Sequence, residues 1–119
     1  MKKIGIVITH APYGYEDAFA GLYVGTASLS KGMQVTVFLL GDGVYTAMKG
    51  HGDTMKLIHL PSIELQVKDI IDLGGRVLVD REAAAIRGVM QEEAVGGVEF
   101  VDSKKLLDEI EAIDLTATF

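Results

Sequence analysis

The sequence of 119 residues contains no cysteine. Disulfides, thiolate metal ligands and cysteine nucleophiles are therefore excluded for this chain by itself. Concentrated positive charge is also missing, since the net charge is −6 and the longest basic runs are Lys2-Lys3 and Lys104-Lys105. A protein that binds phosphate backbones normally presents a basic face, so we expect no direct contact with nucleic acid.

Long apolar runs are absent as well. The longest uncharged stretches, such as residues 18–30, contain Gly, Ser, Thr and Tyr and are too short and mixed to span a membrane. Residues 4–8 are too short for the apolar region of a signal peptide. We therefore expect no membrane contact and a cytoplasmic location.

The residues that are present predict one globular domain over 1–119, because hydrophobic residues make up 49% and charged residues 24%. Runs rich in β-branched residues predict strands, and stretches with an apolar face between capping residues and glycines predict helices. The predicted strands are 3–9, 34–40, 76–79, 98–101 and 113–119; the helices are 15–31, 62–73, 81–87 and 104–112, with shorter stretches at 44–48 and 90–94. Strands that alternate with helices indicate an α/β fold, a three-layer α/β/α sandwich around a mainly parallel sheet of about five strands.

Ligands of open parallel sheets bind beyond the carboxyl ends of the strands. The loops that follow the predicted strands should therefore meet along one rim of the sheet. The candidate pocket residues of this rim are His10, Tyr13, Tyr15, Glu16, Asp42, Asp80 and Arg81.

Three of these residues each have a chemical and a structural interpretation. His10 titrates near neutral pH and is a candidate proton shuttle, whereas the alternative is a loop histidine bonded to a backbone carbonyl. Asp42, between two glycines, is either a ligand contact or a turn residue. Asp80 is either an acid, a base or a partner of Arg81, or it is the N-cap of the following helix.

Common catalytic motifs are missing. The Gly41-Asp42-Gly43 sequence has too few glycines for a phosphate loop or a dinucleotide fingerprint. No two of His10, His51 and His59 have the helical spacing of a zinc protease, and no serine lies in a Gly-x-Ser-x-Gly elbow. We therefore predict neither a metal nor a cofactor. The sequence leaves enzymatic activity open but favours a protein that is not an enzyme.

Three segments nevertheless carry a family resemblance. They are Pro12-Tyr13-Gly14, the strand with its Gly-Asp-Gly-Val turn at 34–44, and the sequence Arg-Val-Leu-Val-Asp-Arg-Glu-Ala-Ala-Ala-Ile-Arg-Gly at 76–88. In their order and spacing they resemble the DsrE/DsrF (TusD/TusC) sulfur-relay family over essentially the whole chain. The resemblance implies an α/β/α domain that assembles as dimers, trimers or hexamers.

The resemblance also implies where the family's chemistry would lie. Sulfur-relay members carry a persulfide on a cysteine after the third strand, and the matching position here is Asp80. An aspartate cannot hold a persulfide, because sulfur transfer needs a polarisable thiolate. The chain is therefore similar to the DsrF/TusC type of subunit, which lacks the active cysteine and supports assembly.

Two functional hypotheses follow. The first is a non-catalytic homo-oligomer that acts as a scaffold or accessory subunit in sulfur transfer, with a cysteine-bearing family member as partner. The second is a small-molecule-binding protein or enzyme that uses His10, Asp42 and Asp80 at the rim. A third and weaker hypothesis is a nucleotide-binding module of flavodoxin-like architecture, because no segment of the sequence has the pattern of a phosphate site.

Overall fold

The computed structural model describes residues 2–13, 16–50 and 62–119. The strands are β1 (Lys3–Ile8), β2 (Gln34–Leu39), β3 (Arg76–Asp80), β4 (Glu99–Val101) and β5 (Leu115–Thr118). The helices are α1 (Asp17–Ser30), α2 (Ile63–Asp72), α3 (Arg81–Ile86) and α4 (Ser103–Glu111). Within the described ranges, 3₁₀ helices cover Gly41–Ala47 and Gln91–Glu93.

The five strands form one sheet in the order β4-β3-β2-β1-β5, and every neighbouring pair is parallel. The predicted parallel sheet is thus confirmed. Because all strands run the same way, their carboxyl ends meet at a single edge. No helix within the described ranges is long and apolar enough to cross a bilayer.

The larger core lies between the sheet and the layer of α1 and α2. Alternate residues of β1, β2 and β3 point to this face, and they are buried against Leu22 of α1 and Ile70 of α2. A Cβ at Gly21 would lie 3.2 Å from the side chain of Ile6, so the glycine in α1 lets helix and strand approach closely. This packing accounts for the nearly unbroken apolar sequence of β1 and β2, as expected for a sheet covered on both faces.

A smaller core fills the opposite face of the sheet. Phe38 of β2, Leu78 of β3 and Val101 of β4 are buried there against Leu106 of α4. The carboxylate of Asp102 caps α4 by accepting a hydrogen bond from the backbone N–H of Lys105 at 2.9 Å. With α4 on this face, the three-layer α/β/α sandwich predicted from the sequence is confirmed.

Two short segments differ from their predicted form. The predicted short helix at 44–48 is a 3₁₀ helix that already begins at Gly41, where Gly41 has a φ of +54° and Gly43 packs against the backbone of β1. The predicted stretch 90–94 is only a 3₁₀ turn, since Ala94 leaves it to bridge Met48. The conformation of both segments therefore depends on tertiary contacts.

A charged network ties β3 to β4 and α4 at the amino end of the sheet. The Arg76 guanidinium donates to Glu99 at 3.1 Å (Nε) and 3.2 Å (Nη2), and to Glu109 at 2.9 Å (Nη1). Lys105 Nζ lies 3.2 Å from the second oxygen of Glu109. The hydrogen bond from Arg76 lowers the pKa of Glu109, and the bond to Glu99 raises the pKa of Arg76, so both partners favour the charged forms.

Replacing Arg76 with methionine is expected to lower the free energy of unfolding at pH 7 by about 1 kcal/mol or less, because half-exposed pairs are screened by solvent. Since the folded pKa of Glu109 is lowered, its contribution is present above the carboxyl's ordinary pKa and is lost as pH falls. The difference between wild type and Arg76→Met should therefore shrink between about pH 5 and pH 3 in urea titrations. A difference that stays constant with pH would contradict this assignment.

Lys68→Met is the matched control for Arg76→Met. Lys68 Nζ pairs with Glu64 at 3.0 Å on the surface of α2, but the largest cause of the lowered pKa of Glu64 is the backbone N–H of Gly50. Loss of the lysine leaves that bond in place. The control should lose little stability and keep its acid profile.

Candidate functional site

The candidate site is the rim where the carboxyl ends of the parallel strands meet. β1 leads into Thr9 and His10, β2 into the first 3₁₀ helix, and β3 directly into α3 at Asp80. The 3₁₀ helix lies against the end of β1, because Gly43 has no side chain and the backbone of Ile8 occupies that space. Because β1, β2 and β3 are neighbours in the sheet, the loops that follow them lie side by side.

Asp80 lies at the junction of β3 and α3 and is half-buried. Its Oδ1 accepts hydrogen bonds from the backbone N–H groups of Glu82 at 3.1 Å and Ala83 at 3.4 Å, which makes Asp80 the N-cap of α3. Oδ2 accepts no hydrogen bond from any described residue. Arg81 does not pair with this carboxylate, because its Nη2 donates to the carbonyl of Phe100 at 3.0 Å.

Asp42 pairs with a residue that the sequence did not single out. Its Oδ1 accepts from Nε of Arg87 at 2.8 Å, and Arg87 Nη1 also donates to the carbonyl of Ala83 at 3.1 Å. The guanidinium therefore links the first 3₁₀ helix to α3 across the rim. Arg87 follows the last residue of α3, and nothing in the local sequence connects it with Asp42, 45 positions away.

His10 is held near the start of α1. Its Nδ1 lies 3.1 Å from Oδ2 of Asp17, the first residue of α1, and 3.4 Å from the hydroxyl of Thr9. Thr9 in turn is tied to the last residue of the chain, because its backbone N–H and its hydroxyl donate to the carbonyl of Phe119 at 2.9 and 3.2 Å. The histidine thus has a carboxylate neighbour on the first turn of α1.

Two tyrosines form the aromatic part of the rim. The rings of Tyr13 and Tyr45 have centroids 5.9 Å apart and are tilted by 48°. Burial is the main cause that raises the pKa of Tyr13, and the neighbouring Tyr45 adds to it. The Tyr13 phenol therefore stays neutral at physiological pH, and this part of the rim offers a hydroxyl group and aromatic ring faces.

The remaining predicted residues have other outcomes. Glu16 is exposed beside the start of α1, and its side chain caps no backbone N–H. Tyr15 lies outside the described residues, as do His51 and His59. In the described part of the chain no three His, Asp or Glu side chains group as metal ligands. His10, Asp42 and Asp80 are each bonded to a different neighbour, namely Asp17, Arg87 and the backbone of α3.

The fold and the rim together define a class: a three-layer parallel α/β protein whose rim holds polar side chains and no thiol. The model of the DsrE/DsrF-like family matches residues 2–117. The chain therefore belongs to the DsrE/DsrF-like family, as its resemblance implied.

The chain is also similar to individual proteins over most of its length. The chain is 31% identical over 117 residues to the uncharacterised protein MJ0989 of Methanocaldococcus jannaschii, covering 98% of this chain and 99% of the relative. It is 29% identical over 111 residues to the uncharacterised protein MK0008 of Methanopyrus kandleri, covering 93% and 88%. The fold is similar to that of YchN from E. coli, with a TM-score of 0.84, 24% identity and full coverage of both chains.

Proposed function

We propose that this chain is a non-catalytic, oligomer-forming member of its family that acts as a scaffold or accessory subunit in sulfur transfer. The observation that carries the proposal is the position of Asp80 and the role of its carboxylate. It ends β3, where the resemblance places the persulfide cysteine, and its carboxylate caps α3. A carboxylate oxygen cannot attack or carry a sulfur atom, so the chain needs a cysteine-bearing partner for the chemistry.

The rest of the rim supports a contact role. Asp42 and His10 are engaged with Arg87 and Asp17, and the rings of Tyr13 and Tyr45 lie together. Tyrosine is among the residues enriched in protein interfaces. The proposed partners are further copies of this chain, in a dimer, trimer or hexamer, and a cysteine-bearing member of the same family.

The test of this role is complex formation. Purified chain is mixed with a cysteine-bearing member of the family from the same organism, and the mass of the complex is measured by light scattering. The proposal expects a stable complex that contains both chains. It is overturned if the chain is monomeric, forms no such complex, and binds in a thermal-shift screen a metabolite whose effect is lost in Asp80→Ala and His10→Ala.

A second experiment places a cysteine at position 80 and tests the part of the proposal that concerns sulfur transfer. Asp80→Cys is expected to gain one sulfur from a persulfide donor, while wild type gains none. The N-terminus of α3 lowers a thiol pKa, so the gain should be about tenfold faster than in Glu111→Cys, whose thiol would end α4 on the surface. Mass spectrometry over a time course gives both rates.

Two further measurements separate the loss of the helix cap and of the negative charge from the effect of the new thiol. Asp80→Cys removes the cap of α3 and should cost about 1 kcal/mol. Asp80→Asn keeps a capping oxygen and shows the effect of charge alone. Equal rates of sulfur gain in folded Asp80→Cys and Glu111→Cys would mean that the rim no longer favours sulfur transfer, and would overturn this part of the proposal.

A further inference from the structure

A groove of about 480 Å³ runs between α3 and the edge strand β4. Its floor and walls are largely apolar and include Ala85, Val89, Met90 and the half-buried ring of Phe100. Met90, which lines the groove, is 57% exposed, and Ile86, on α3 beside the groove but outside its lining, is 83% exposed. Large apolar side chains this exposed at a groove are typical of surfaces that contact another macromolecule.

The edge strand beside the groove is only three residues long (Glu99–Val101), so it offers little backbone for another strand to pair with. β4 pairs with β3 on one side only, and an unpaired edge normally invites another strand. Here, however, the carbonyl of Phe100 already accepts a hydrogen bond from Arg81. An occupant of the groove is therefore held by side-chain packing against Met90 and Phe100, not by added strand pairing.

The charges that line the groove are opposite. Arg81 is the first residue of α3, and Glu92 lies beyond the last one, in the second 3₁₀ helix. Among the described residues Arg81 has no carboxylate partner and Glu92 has no cationic partner. A surface with a cation near one end of a helix, an anion beyond the other and apolar residues between them is complementary to itself.

We infer that this groove is an isologous contact between two copies of the chain, related by a two-fold axis. Such an axis lays the two α3 helices antiparallel, so that Arg81 of each copy meets Glu92 of the other while the exposed Met90 and Ile86 side chains are covered. Each contact then occurs twice. The contact lies next to the cap of α3, because Asp80 directly precedes Arg81.

This inference gives a surface to the self-assembly in the proposed function and rests on it. It is tested by charge reversal, with molar mass measured by sedimentation and light scattering across a concentration series. Wild type is expected to have a mass that is an even multiple of the chain. Arg81→Glu and Glu92→Arg should each weaken the two-fold contact about tenfold or more and halve the mass, because like charges then meet twice.

The double variant Arg81→Glu with Glu92→Arg exchanges the two charges and should restore the wild-type mass. Lys104→Glu and Glu111→Arg reverse exposed charges at the two ends of α4, on the other face of the sheet, and should leave the mass unchanged. Circular dichroism confirms that each variant is folded.

The interface is overturned if wild type is monomeric, if both single reversals keep its mass, or if the folded double variant fails to restore it. In those cases the groove belongs to another occupant, such as a small apolar acid held by Arg81. These outcomes do not decide the accessory role, which depends on the complex with the cysteine-bearing relative. Loss of that complex with an intact two-fold contact overturns the accessory role alone.

Discussion

Replacing Gly43 with alanine is expected to lower the free energy of unfolding by about 3 kcal/mol or more. An added Cβ would lie 2.0 Å from the carbonyl oxygen of Ile8 and 2.7 Å from its carbonyl carbon. That oxygen also accepts a hydrogen bond from Leu40 N–H at 3.0 Å, so the clash disrupts the start of the 3₁₀ helix as well. β1 cannot move away, because it pairs with β2 on one side and β5 on the other.

Thermal unfolding of Gly43→Ala measures this effect. A loss of this size corresponds to a melting temperature lower by roughly 10–20 °C in a domain of this length. Gly96→Ala is the matched control, since a Cβ there meets no atom within 4 Å. The control should stay within about 0.5 kcal/mol of wild type. A Gly43→Ala protein that melts within about 2 °C of wild type would show that the 3₁₀ helix does not pack on β1 as described.

The same substitution has a functional consequence. Asp42 directly precedes Gly43, and its bond to Arg87 at 2.8 Å depends on where the 3₁₀ helix sits. If the helix is displaced, the link between the rim and α3 is lost. We therefore expect Gly43→Ala to weaken assembly through α3 even where the chain still folds.

Leu78→Ala is the second substitution with a large expected effect. Leu78 is fully buried in the middle of β3 and belongs to the smaller core with Phe38 and Leu106. Removal of its side chain leaves a cavity in a cluster with few neighbours to fill it, so we expect a loss of about 2–5 kcal/mol. Urea titration at constant pH gives the value.

Leu107→Ala is the control for Leu78→Ala, because it removes the same atoms from a leucine on α4 that is 59% exposed. It should cost less than about 1 kcal/mol. Similar losses in the two variants would contradict the placement of α4 over β3. Leu78 also lies two residues before Asp80 on the same face of the strand, so its loss should loosen the junction that holds the cap of α3.

Local sequence signals were sufficient for the elements of the fold. Ser62 and Asp102 precede α2 and α4 and cap them as expected, with side-chain oxygens that accept from Leu65 and Lys105. The apolar runs of β1, β2 and β3 predicted buried parallel strands, and those strands are adjacent in the sheet. Capping and strand burial act between residues close in the chain or within one element, which is why a sequence reveals them.

The partners of the rim residues could not be predicted in this way. Asp42 meets Arg87, and Thr9 meets Phe119, 110 positions later. His10 lies beside Asp17, seven residues later, because α1 begins next to the end of β1. These pairs depend on the strand order β4-β3-β2-β1-β5 and on how α1 and α3 leave the sheet.

The absence of cysteine was determined by the sequence alone, and so was the α/β alternation that places Asp80 after the third strand. The amino-acid composition limits the chemistry that is available to the chain. The periodic spacing of hydrophobic residues and the helix caps depend on residues that are close together in the sequence. Only the tertiary structure decided that Arg87 spans the rim to Asp42 and that Arg81 and Glu92 line one groove. These contacts join residues from different elements, and they exist only once packing of the sheet has brought those elements together.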